Sequence, residues 1–233
     1  MRLDFDKVFK YIIENAELNK AFQYYTEHCN SLTLPYHNLN HTLGMIYHII
    51  CIYENSRRRD DYTFKLEIGD LHILILSALF HDFNHSGGRF SDEVNVHNAK
   101  EGLKSCLNSI YGESDEIKYL YSVCSLTIEA TQYPYIIENN DLTLYQRILR
   151  ECDILVALYD DYITHRIYGL AEEMKCQDMI QLYAKEYEFI ITAMKNMELV
   201  YSKELWRSES EKFLNTYNLF GKVIGFGKLN NGI

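Results

Sequence analysis

The chain has 233 residues, 33 acidic against 23 basic side chains and a formal net charge of −10. That balance excludes a protein that grips a nucleic-acid polymer, because phosphate binding needs clustered Lys and Arg. With 47% hydrophobic and 24% charged residues the chain lies outside the disordered regime. Only 2 prolines and 11 glycines interrupt its long periodic apolar stretches. The expected fold is therefore all-α, in one domain over residues 1–233.

In chain order, Phe5, Val8, Phe9, Ile12, Ile13 and Ala16 recur at helical spacing and predict an opening amphipathic helix. Pro35 marks the start of the next helix, with Asn40 as its expected N-cap and Leu43, Ile46, Ile49, Ile50 and Tyr53 on one side. Arg57-Arg58-Arg59-Asp60-Asp61 reads as a solvated polar connector. Leu71 to Phe80 is apolar on nearly every face and predicts a central buried helix. His85-Ser86-Gly87-Gly88 is a loop signal. Further helices are expected over 92–110, 114–131, 141–157, 159–174, 177–197 and 203–220, followed by a fraying tail at 221–233. The N-terminus lacks a signal-peptide core, and no apolar run reaches the roughly 18 residues of a membrane span. Six scattered cysteines without a Cys-x-x-Cys pair read as free thiols. A soluble, cytoplasmic protein with no membrane partner follows as the expectation. The 20 tyrosines suggest no function of their own.

The polar residues set into this apolar pattern carry the chemistry. Asp153 stands between Ile148-Leu149 and Ile154-Leu155-Val156-Ala157, and an ionised carboxylate in a buried helix needs a partner. A divalent metal is one such partner; an N-cap or a hydrogen-bonded helix aspartate is the plain alternative. His81-Asp82 follows Leu79-Phe80 at the edge of the core, and His37 and His41 are four residues apart. Imidazole and carboxylate together suit Zn, Mn, Fe or Mg, and the absence of thiolate motifs argues against a structural zinc cluster. Each pair alone is weak evidence, since His-x-x-x-His also occurs on exposed helical faces.

In combination, His41, His81-Asp82 and Asp153 resemble the metal-binding set of the HD superfamily of phosphohydrolases. Tyr36-His37-Asn38-x-x-His41 and His81-Asp82-x-x-His85-x-Gly87 most resemble the catalytic domains of class I cyclic-nucleotide phosphodiesterases. Small bacterial HD proteins share the Tyr-His-Asn-x-x-His opening. The motifs run from residue 36 to 153, and beyond them the likeness is helical character alone.

The resemblance implies a single HD-type helical bundle that hydrolyses a small nucleotide, cyclic or linear, with two divalent ions. His41, His81, Asp82 and Asp153 would ligate the first ion, and Asp82 would bridge to a second held mainly by water. His37 would be the general acid, and His85 would hydrogen-bond the water around the second ion. Asn38 and His97 fall just behind these residues, although His97 reads equally as a core histidine. Three departures stand out. Asn95 replaces the glutamate that partners the general acid in phosphodiesterases, the loop after His85-Ser86-Gly87 is short, and no Gln-x-x-Phe purine clamp occurs. The alternatives are a nucleoside 5′-monophosphatase, an HD-fold di-iron oxygenase and a non-catalytic nucleotide-binding module.

Overall fold

Asn15 decides the first structural event. Its backbone is extended and its side chain accepts from the backbone N–H groups of Glu17 and Leu18, so it closes one helix and caps the next. The single opening helix expected from periodicity is thus two, α1 (Phe5–Glu14) and α2 (Ala16–His28). The computed structural model describes residues 3–225. Beyond α2 it contains α3 (Leu39–Arg58), α4 (Ile68–Phe80), α5 (Asp92–Tyr111), α6 (Asp115–Glu129), α7 (Leu144–Leu155), α8 (Asp160–Glu173), α9 (Met179–Lys195) and α10 (Val200–Val223). No strand occurs among the described residues, and none of their helices is long and apolar enough to cross a membrane.

The expected apolar run is the centre of the fold. Leu71, Leu74, Ile75, Ala78, Leu79 and Phe80 of α4 are fully buried, and α4 packs against α2, α3, α5, α6 and α7. Each such Leu or Ile contributes roughly 1.5–3 kcal/mol by leaving water, so the end of α4 is a rigid platform. One apolar cluster joins α1 to α7; a second joins the end of α7 to α8, α9 and α10.

Other expectations shift in register. Arg57 and Arg58 belong to the last turn of α3 rather than to a connector, and Arg59 bonds Asp61 and Glu204. Residues 221–223, assigned to a fraying tail, complete α10, with Gly221 buried against the Tyr183 ring; residues 226–233 lie outside the described part. All six cysteines are free.

Candidate metal centre

Three helix ends converge on one point. The first is the start of α3, which Asn38 caps. Its Oδ1 accepts from the N–H groups of Asn40 and His41, while its Nδ2 donates to the carbonyls of Leu34 and Pro35. The cap is therefore Asn38 and not Asn40, and it fixes His41 in the first turn with its ring buried.

The end of α4 supplies the next two groups. His81 is its C-cap residue, and its Nδ1–H donates to the Ala78 carbonyl at 2.7 Å, which leaves the Nε2 lone pair directed away from the helix. Asp82 follows directly. Asp153 enters from the third turn of α7, whose cap is Thr143, so the N-cap alternative for Asp153 is ruled out. Its carboxylate is half-buried rather than enclosed, 27% exposed.

His41, His81 and Asp82 meet at the distances that ligands of one ion keep from each other, and Asp153 joins them through His41. His41 Nε2 lies 3.2 Å from His81 Nε2, 3.0 Å from Asp153 Oδ1 and 3.5 Å from Asp82 Oδ2; His81 Nε2 lies 2.9 Å from Asp82 Oδ2. Ligand bonds of ~2.1 Å imply edges of roughly 3.0 Å in an octahedron and 3.4 Å in a tetrahedron. Asp82 Oδ2 is also buried without a hydrogen-bond partner. Two nitrogen and two oxygen donors with an orphaned carboxylate oxygen fit a divalent cation of borderline hardness.

A second group of possible metal ligands adjoins the first: His37, His85 and Glu173. Glu173, in the last turn of α8, was not foreseen from the sequence. Its buried carboxylate gathers three N–H groups: Oε1 accepts from the backbone of Tyr36 at 2.6 Å and of His37 at 2.9 Å, and Oε2 accepts from His37 Nδ1 at 2.7 Å. Two glycines make the approach possible. A Cβ on Gly169 would lie 2.9 Å from the Pro35 carbonyl, so α8 packs directly on the 35–36 turn. Gly88 takes a φ of +76° as the loop after His85 passes the end of α8, where a Cβ would press on the Glu173 carbonyl.

His85 stacks on His37 with ring centres 3.8 Å apart, its Nδ1 accepts from the Gly87 N–H, and its Nε2 contacts the Asn95 amide. Asn95 therefore pairs with His85, and Glu173 stands beside His37. His97 is exposed on α5 and belongs to neither group, so it is not a core histidine. Asp92 was also missed: it lies 3.9 Å from His85 Nε2 and accepts from the Tyr133 N–H. Arg166, held by Glu186, bonds the Tyr36 hydroxyl from behind.

The electrostatics follow from these pairings. Burial lowers His41 outright. For His81 burial acts downwards too, but Asp82 and then Asp153 outweigh it and raise the ring to about 9. His37 is likewise raised, against burial, by Asp82 and by its bond to Glu173. Burial and then the charge of His37 push His85 down to about 4, which keeps it neutral. Two imidazoles in ring contact are thus pushed in opposite directions.

Compared with known proteins, the chain matches no family model and no curated sequence.

Proposed function

We propose that the protein is a metal-dependent phosphohydrolase acting on a small nucleotide, as a phosphodiesterase of HD type. The observation that carries this reading is the cluster of His41, His81 and Asp82, with Asp153 3.0 Å from His41, beside the His37–Glu173 pair. These four side chains would hold the first divalent ion, with Asp82 shared with a second. An ion bound there supplies Lewis acidity towards a phosphoryl oxygen and acidifies a water that serves as nucleophile. His37 keeps its Nδ1–H on Glu173, so its Nε2 is the atom that delivers a proton to the leaving oxygen. His85, neutral, supports the His37 ring without competing for that proton.

The test is elemental analysis of purified protein, followed by cyclic, linear and monophosphate nucleotides offered with Mn, Mg and Zn. Bound divalent metal with turnover of a phosphodiester is the expected result. Turnover of 5′-monophosphates alone would leave the metal assignment and change the reaction.

One observation favours a second reading, the di-iron oxygenase. His37, His85 and Glu173 offer a further set of ligand atoms, as a protein-held second iron requires. His37→Asn separates the two: loss of one metal equivalent points to the oxygenase, and full metal content with slowed hydrolysis points to the general acid.

A further inference from the structure

A cavity of about 460 Å³ opens between α7, α9 and the loop after α6. That is within the range of small-molecule sites, roughly 300–1,000 Å³. Its walls combine aromatic rings with charged side chains of both signs, Arg147, Lys185 and Glu188 among them. Tyr133 and Phe189 pack edge to face at 5.2 Å, and Tyr135 completes the corner. Arg150, 3% exposed, also lines it.

Arg150 has a structural task first. Its Nε donates to the Ala130 carbonyl, and its Nη1 donates to the Ile137 carbonyl and Asn139 Oδ1, which pins both ends of the loop. Nη2, however, is buried with no acceptor, and among the described residues no carboxylate is ion-paired with the guanidinium. Glu138 acts on it through space only, Glu198 pairs with Arg147, and Glu151 accepts from the N–H groups of Glu198 and Leu199. The guanidinium lies 4.0 Å from the centre of the Tyr135 ring. A cation on one face of an aromatic ring favours an electron-rich ring stacked on it, and a donor-only group favours carbonyl acceptors.

The cavity also adjoins the candidate metal centre. Arg150 and Asp153 are i and i+3 on α7, hence on one side of the helix. Burial and then the Asp153 carboxylate raise the Tyr135 phenol, and the Tyr133 N–H bonds Asp92, the neighbour of His85. The two sites thus share α7 and are joined by the Tyr133–Asp92 hydrogen bond.

We propose that this cavity holds the base of the nucleotide substrate and favours an electron-rich, oxo-bearing purine such as guanine over adenine. The proposal rests on the phosphohydrolase reading for the other half of the substrate. Calorimetric titration of the chelator-treated full chain with guanosine, inosine and adenosine tests it without any phosphate. Guanosine and inosine should bind, and adenosine at least about tenfold more weakly. Thr192→Trp, which fills the cavity from an exposed position on α9, and Tyr135→Ala should each weaken guanosine at least about tenfold. Both variants should keep the helical circular dichroism and the metal content of the parent.

No saturable nucleoside binding, equal affinity for adenosine, or guanosine binding untouched by Thr192→Trp overturns the assignment. Turnover of nucleotides without nucleoside binding overturns the cavity and spares the hydrolase. Guanosine binding lost in Thr192→Trp, with no phosphoester turned over by the parent, supports the cavity and defeats the hydrolase.

Discussion

His41 and His48 sit two turns apart on α3, both essentially without solvent exposure, and they have opposite surroundings. His48 is closed. Its Nδ1 meets the Tyr201 hydroxyl at 2.9 Å and its Nε2 meets the Tyr159 hydroxyl at 2.7 Å. A hydroxyl can donate or accept, so two of them satisfy a neutral imidazole completely. His41 faces another imidazole nitrogen and two carboxylates, a set that calls for a proton or a cation in its midst. Burial of a histidine therefore says little about metal binding; the chemistry of its partners decides.

The largest effect should come from the open site. His81→Ala and Asp153→Ala are expected to lose bound metal and all activity, while His48→Leu keeps its metal. Elemental analysis of the three variants decides it, and full occupancy in the two ligand variants removes the metal assignment. Next, His37→Asn should retain metal but lower kcat by ~10²–10⁴. Glu173→Gln should act in the same direction by ~10–100-fold. A change in KM alone for both would assign the pair to substrate binding instead.

The closed site should answer in stability. His48→Leu strands the Tyr159 hydroxyl and leaves the Tyr201 hydroxyl its Cys51 contact, so urea unfolding should show a loss of about 1–3 kcal/mol. An unchanged midpoint would mean that water reaches these hydroxyls.

The smallest and sharpest contrast lies in pH. Burial lowers His48 to about 3, below its unfolded value of ~6.5. Its contribution is complete above ~6.5 and lost as pH falls towards 3, by about 1.4 kcal/mol per pH unit, a slope His48→Leu should lack. His81 behaves oppositely in metal-free protein. Raised to about 9 against burial by Asp82, it stabilises fully below ~6.5, and that stability is lost as pH rises through 9. Saturating divalent metal should abolish the alkaline loss, because the cation takes the place of the proton. Denaturation midpoints across pH 4 to 10, with and without metal, measure both limbs.

Much of the candidate site was legible because its parts are local. His81-Asp82 ends an apolar run, Asp153 interrupts another, and His41 stands four residues from His37, so periodicity and spacing point at them, whereas the cap was expected at Asn40 and lies at Asn38. His97 was singled out by the resemblance, yet its place in the second turn of α5 leaves it facing water. Glu173 carried no sequence signal. It lies at a helix end among Ala171, Glu172 and Met174, where a solvated carboxylate would be unremarkable. Its value comes from a partner 136 positions away. The many tyrosines were equally mute, although Tyr159, Tyr201 and Tyr36 turn out to satisfy buried His48 and Arg166.

By itself the sequence determined that the chain is helical, where its helices other than α2 run to within a few residues, and which histidines and aspartates end or interrupt apolar stretches. Those properties depend on neighbours within about four positions, the range over which helical periodicity and caps operate. Only the tertiary structure decided which of those groups meet. It set His41 against His81 and Asp153, supplied Glu173 to His37 in place of Asn95, and left Arg150 without a carboxylate beside a cavity. These pairings join residues on different helices, and their energies depend on burial and on distances that no local pattern encodes.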